Sequence, residues 1–261
     1  MKILLGIPSY GAPSKPFLES LAALELPAGT TAFNHVTVTG NFVPAQRELI
    51  VERAIASSAD ILVMCDDDMV LPKDALVQLS AVFDAQPRCA LAGALYYSRD
   101  GFRPMAVDDW DPSDTTTATI PAFDDAPVRV AGVGFGCIAI RMAAVLELEP
   151  PYFESHVYVE PAAGRVRVCN EDYLFCHRLR AAGWEIALHA GLRCGHYDRE
   201  RNAVMPHQWE PRERTAIKRM AVVRDGRPAL VPFAPAPAHG EHHRAVRVDY
   251  VSPKDEATEG R

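Results

Sequence analysis

"ILVMCDDDM", Ile61–Met69, runs five apolar side chains straight into three consecutive carboxylates, Asp66, Asp67 and Asp68. A continuous apolar run of this length is how a strand reads when a parallel sheet buries it on both faces. Ionised carboxylates crowded at the end of such a strand repel one another and are costly to desolvate, so they need a positive partner. In a parallel α/β sheet, ligands sit beyond the carboxyl ends of the strands, which is where this triplet falls. Capping of the next helix is the rival reading. It needs one Asp rather than three, and Pro72 sets that helix start several residues later. Hard carboxylate oxygens suit Mg²⁺ or Mn²⁺.

Outward from this stretch, strand and helix alternate. "KILLGIPSY" (2–10) reads as a buried strand running into a turn. "KPFLESLAALEL" (15–26) carries Phe17, Leu18, Leu21, Leu24 and Leu26 at roughly helical spacing. "NHVTVTGN" (34–41) alternates like a strand. "PAQRELIVERAIASS" (44–58) reads as a helix with Pro44 near its start and Leu49, Ile50 and Ile55 on one face. Beyond the triplet come a helix over 71–85 and the strand "CALAGALYY" (89–97). The pattern predicts an open α/β sheet with crossovers. Residues 128–148 return to strand, glycine turn, strand and short helix. "NEDYLFCHRLRAAGW" (170–184) is a helix with Asn170 as N-cap and Gly183 as its stop, and 185–198 gives one more strand and an exposed turn.

Two segments break the alternation. Residues 98–127 are rich in Asp, Thr and Pro, with Trp110 inside an acidic run. A loop so long is usually functional or disordered. A lid, an acceptor platform and a disordered loop all suit it. Beyond about 226 the chain turns to Pro, Ala and His, so the expected division is a domain over 1–225 and an arm or tail over 226–261.

The bulk numbers are those of a globular protein: 261 residues, 48% hydrophobic and 23% charged. A net charge of −7 implies no general affinity for nucleic acid or anionic membrane. Residues 193–227 nonetheless hold nine basic side chains against five acidic ones. A solvated surface is the plainer reading of that strip; a polyanionic acceptor, nucleic acid included, is the other. Gly6 and Pro8 interrupt the apolar start, so it reads as a first strand rather than a signal peptide. No run approaches the roughly 18 apolar residues of a membrane span. The six cysteines lack Cys-x-x-Cys spacing, and buried thiols in a reducing cytoplasm are expected.

Two further signals complete the set. Glu171 and Asp172 stand in a first helical turn, where the helix dipole alone accounts for acids. "CGHYD" places His196 just after a strand, where an imidazole can serve as a nitrogen ligand. In their order, "GIPSYG", "ILVMCDDDMVLPKDAL", "GVGFGCIAIRMAAV", "NEDYLFCHRLRAAGWEIAL" and "CGHYD" resemble the nucleotide-sugar glycosyltransferases of the GT-A fold, closest to the family 2 group. The resemblance spans residues 3 to 198 and implies a Rossmann-like open mixed, mostly parallel sheet flanked by helices.

It also implies roles. Pro8, Ser9 and Tyr10 would line the nucleotide base, and Arg47 would reach the nucleotide or its phosphates. Asp66 would contact the donor ribose and join Asp68 and His196 in binding the metal, with Asp67 beside it in the donor site. Asp68 would bind Mn²⁺ or Mg²⁺ and His196 would complete its shell. Asp172 would be the general base, with Glu171 its neighbour in the acidic pair. The donor implied is a nucleotide-sugar, a UDP-sugar first. The acceptor is a hydroxyl on a glycan, a lipid-linked or a small molecule, and nucleic acid stands lower.

The chain departs from the family in two places. No acidic residue ends the second strand, where Asn41 is the nearest polar side chain, and the Gln-x-x-Arg-Trp motif of processive synthases is absent. A soluble, cytoplasmic enzyme making a single, inverting transfer is expected. The alternatives are a sugar-nucleotide nucleotidyltransferase, for which "PSYGAPSKP" is a poor phosphate loop, and a non-catalytic nucleotide-sugar-binding homologue. A dinucleotide oxidoreductase fits less well, because Cys137 stands where the third glycine of its fingerprint belongs.

Overall fold

The structure, a computed structural model, describes residues 1–99, 101–111, 114–160, 165–207, 210–213, 215–224 and 227–232. The first half of the chain forms β1 (Lys2–Ser9), α1 (Lys15–Ala22), β2 (Ala32–Thr39), α2 (Val43–Ala56), β3 (Ile61–Cys65), β4 (Met69–Val70), α3 (Ala75–Ala85) and β5 (Cys89–Leu95). Short strands β6 (Ala106–Val107), β7 (Asp109–Asp111) and β8 (Asp114–Ile120) follow. Next come β9 (Pro127–Val130), β10 (Gly132–Val133), β11 (Cys137–Arg141) and α4 (Met142–Val145). The remainder is β12 (His156–Glu160), β13 (Arg165–Cys169), α5 (Glu171–Ala181), β14 (Glu185–Arg193), β15 (Gly195–Asp198), β16 (Ala203–Met205), β17 (Thr215–Arg224) and β18 (Arg227–Pro232).

Seven strands make the central sheet, in the order β2-β1-β3-β11-β5-β14-β9. β1 is parallel to β2 and β3, and β14 is parallel to β5. β11 runs antiparallel to both β3 and β5, and β9 runs antiparallel to β14. The open mixed, mostly parallel sheet expected from the sequence is present. Its inner strands are apolar throughout because both faces are covered. Ile3, Leu5, Ile7, Ile61, Val63 and Cys65 face one layer with Phe17 of α1 and Leu76, Leu79 and Phe83 of α3. Leu4, Leu62 and Met64 face the other, with Ile50 and Val51 of α2 and Phe175 and Leu179 of α5. That split is the period of two expected of a strand.

One glycine decides where α2 lies. A Cβ built on Gly6 would stand 2.2 Å from Ile50 Cγ2, so the helix presses directly onto the backbone of β1. The buried face of α2 is Pro44, Gln46, Arg47, Ile50, Val51 and Ala54. Leu49 and Ile55, expected beside Ile50 on the apolar face, are instead exposed. The contact at Gly6 rotates Ile50 inward and carries Arg47, one turn earlier, toward the end of the sheet.

The segment 98–127 is not a structureless loop. It contains β6, β7 and β8, and β8 pairs antiparallel with β17 from the far end of the chain. Trp110 is buried, its ring 5.9 Å from that of Tyr173 on α5 and 6.2 Å from that of His177. All six cysteines are free and buried, with Cys65 and Cys137 directly opposite in the β3–β11 ladder. Of the segment expected as an arm, Arg227–Pro232 forms β18 against β17, and 233–261 lies outside the described residues. Among the described residues no helix is long and apolar enough to cross a membrane.

Candidate functional site

β3 ends at Cys65, and the chain turns at once. The Asp66 amide donates to Gly136 O at 3.0 Å, and the Met69 amide returns to Asp66 O at 3.2 Å. β4 then pairs antiparallel with β15, with His196 opposite Met69, and the Tyr197 amide donates to Asp68 O at 2.8 Å. Backbone pairing alone thus brings the imidazole to the triplet. His196 Nε2 lies 3.4 Å from Asp68 Oδ2, and Nδ1 lies 2.8 Å from Tyr97 O. A ring whose Nδ1–H is committed to a carbonyl presents Nε2 as its ligating nitrogen when neutral.

Each carboxylate of the triplet has its own arginine. Arg47 donates to Asp66 Oδ1 at 3.1 Å and to Glu171 Oε1 at 2.5 Å, with its guanidinium over the Phe135 ring. Arg199 donates to Asp67 Oδ1 at 3.1 Å, and Ser9 Oγ donates to Asp67 Oδ2 at 2.5 Å. Arg99 donates to Asp68 Oδ2 at 2.6 Å. Burial pushes the Asp66 carboxyl above the usual range, although Arg47 pulls against it. Burial acts the same way on Asp68, but His196 and Arg99 outweigh it and hold that carboxyl low. Burial would lower the His196 pKa; the hydrogen bond and charge of Asp68 raise it instead.

The triplet and its three arginines border a cleft of about 820 Å³ at the carboxyl ends of β1 and β3. Pro8, Tyr10, Asn41 and Phe42 line it on the β1–β2 side, and Arg47 and Asp66 to Asp68 form its floor. Tyr96, Arg99, Phe135, Ser155, Asn170, Glu171, Asp172 and Arg199 line it as well. Tyr10 and Phe42 are both well exposed at the rim. Most of the residues singled out in the sequence therefore converge, but His196 stands behind Asp68 and does not itself line the cleft. Ser9 does not reach the cleft: it is buried, and its hydroxyl is taken up by Asp67 and by the Gly11 amide, which donates to it at 2.9 Å. Glu171 is held by Arg47, whereas Asp172 opens α5 beside it, Oδ1 accepting the Tyr173 amide at 2.8 Å. Asn170 occupies the N-cap position by backbone, without a side-chain cap bond.

The donor set fits a divalent ion. Five carboxylates against three arginines leave the cleft two negative charges when His196 is neutral. Among the described residues no group of three or more His, Cys, Asp or Glu is poised around one point. Asp68 and His196 are two, and Mg²⁺ or Mn²⁺ characteristically takes one or two protein ligands and completes its shell with phosphate and water.

Arg99 was not singled out in the sequence, and Arg199 was counted only within the basic strip. One local signal existed for Arg199, which follows His196 by three residues, just past the end of β15. Arg99 comes from the segment 98–127, where no periodic pattern points inward. The rest of the strip, where its side chains are described, is neutralised locally: Arg193 by Glu210 and Asp125, Arg201 by Asp198, and Arg212 by Glu210.

No protein-family model matches the chain, and no curated protein does either. Solved structures do. A197 from STIV is similar over 81% of this chain and 97% of its own, at 17% identity and a TM-score of 0.55. GalNAc-T7, crystallised with UDP, GalNAc and Mn²⁺, is similar over 80% of this chain and 45% of its own, at 11% identity and a TM-score of 0.50. The fold is GT-A-like. At these identities the likeness concerns the fold alone. The GT-A-like sheet nevertheless explains why the triplet and Asp172 face one cleft, since ligands of such sheets bind beyond the strand ends.

Proposed function

We propose that this chain is a metal-dependent glycosyltransferase that moves a sugar from a nucleotide-sugar to an acceptor hydroxyl with inversion. One observation carries the reading: Asp68, backed by His196, and Asp172 line a single cleft at the end of a GT-A-like sheet. Pro8, Tyr10, Asn41 and Phe42 offer a slot for the base, with UDP-sugars first in line. Asp68 and His196 would hold Mn²⁺ or Mg²⁺, which neutralises charge building on a diphosphate leaving group. Asp172 takes the acceptor proton, and its place in the first turn of α5 helps keep it ionised. Arg47 is a positioning residue, because both of its terminal nitrogens are committed to protein carboxylates.

The test is Asp172→Asn, which keeps the shape and removes the base. Turnover of the best nucleotide-sugar should fall by about a hundredfold while donor affinity survives. Near-normal turnover, or a product with retained configuration, would take Asp172 out of this role.

A further inference from the structure

The carboxylate suited to a cation already holds one. Arg99 and His196 meet on the same oxygen, Asp68 Oδ2, at 2.6 and 3.4 Å. They are held there very differently. His196 is fixed by its strand and by the Tyr97 carbonyl, and its side chain is 14% exposed. The Arg99 side chain is 65% exposed and extends from a short turn. That turn is closed on itself: the Ser98 amide donates to Arg103 O, the Gly101 amide donates to Ser98 O, and Tyr97 bridges Pro104. Backbone bonds thus fix the chain on either side of Arg99, while its exposed side chain reaches out to Asp68. An exposed ion pair of this kind is weak and readily exchanged.

A guanidinium and a divalent ion repel each other and so compete for Asp68 Oδ2. The neighbouring pair differs, because Asp67 is also fixed by Ser9 and is not shared with His196. With a net charge of minus two, the cleft also repels a diphosphate until further positive charge becomes available. We propose that Arg99 is a latch on the cation site. It holds Asp68 before the donor arrives, yields that oxygen to the divalent ion, and pairs with the diphosphate that the ion accompanies. The planar fork of an arginine suits a phosphate as well as it suits a carboxylate. This inference rests on the glycosyltransferase reading and adds a residue to its donor site.

The experiment compares wild type, Arg99→Met and Asp68→Ala by calorimetry and by Mn²⁺ electron paramagnetic resonance. Mn²⁺ is titrated first alone. It is then held at saturation while the best binder among UDP, GDP, CDP and ADP is titrated. In Arg99→Met, Mn²⁺ alone should bind about threefold tighter, the size of an exposed ion pair removed. The nucleotide should bind about tenfold weaker, as expected when one charge-assisted hydrogen bond to a phosphate is missing. Unchanged or weaker Mn²⁺ binding in Arg99→Met, or undiminished nucleotide binding, overturns the latch. Asp68→Ala separates the two readings. If it loses Mn²⁺ while Arg99→Met changes nothing, the latch alone fails. If Asp68→Ala binds Mn²⁺ as well as wild type does, the metal site itself has been misplaced and both fall.

Discussion

Arg47 and Glu171 lie 124 residues apart in the chain and 2.5 Å apart in space, clamping α2 to the start of α5. The Arg47 side chain is only 6% exposed. Removing one partner of a buried ion pair leaves the other charge uncompensated. Arg47→Met, which strands Glu171 and Asp66 together, should therefore cost about 3 kcal/mol in urea unfolding. Arg47→Lys keeps the charge but not the fork and should fall between. A loss within about 1 kcal/mol for Arg47→Met would mean the clamp behaves like a surface pair.

Asp68→Ala should abolish Mn²⁺-supported binding of a nucleotide-sugar, because carboxylate and diphosphate share the ion. Calorimetry with and without EDTA reads this directly. Undiminished metal-supported binding in the variant would remove Asp68 from the site.

The Asp68–His196 pair predicts a pH dependence with a definite sign. The His196 pKa is raised above its ordinary 6.5 because the hydrogen bond and charge of Asp68 outweigh burial. Its contribution to stability is therefore complete below about pH 6.5 and is lost as pH rises through the raised value. The Asp68 pKa is depressed, so its contribution is present above about pH 3.9 and fades as pH falls through the lower value. In metal-free melts the gap between wild type and His196→Asn should be widest near about pH 5.5 and narrow toward about pH 8. Mn²⁺ affinity should run the other way and rise with pH, since only the neutral ring ligates. A melting-temperature gap that ignores pH would show that no ion pair forms.

Gly6→Ala would drive a methyl group to 2.2 Å from Ile50 Cγ2 and should destabilise the fold by about 1–3 kcal/mol. Ile50→Ala is costly alone, yet in Gly6→Ala it removes the clash. The double variant should be more stable than the sum of the two single changes by about 1 kcal/mol or more. Strict additivity would mean that α2 does not rest on Gly6.

Much of this architecture was legible because β1, β3 and β5 are buried on both faces and so spell themselves out as apolar runs. The reversed direction of β11 was not legible: hydrophobic pattern reports burial, not polarity of the strand. The buried face of α2 was misread at Leu49 and Ile55 because the decisive fact, the missing side chain at Gly6, lies on another element. Strands β7 and β8 were missed because β8 takes its partner from β17, near the other end of the chain. In the site, the carboxylates announced themselves by their crowding. The arginines answering Asp67 and Asp68 stand 132 and 31 residues away, and only the closed fold pairs them.

The cleft residues fall into two stretches of chain, 8–68 and 96–199. Each set is one stretch of chain, and the two are joined by Arg47–Glu171, Arg199–Asp67 and Arg99–Asp68. The first stretch brings three carboxylates and one arginine and the second two of each, so Asp67 and Asp68 find their arginines only once both stretches have folded together.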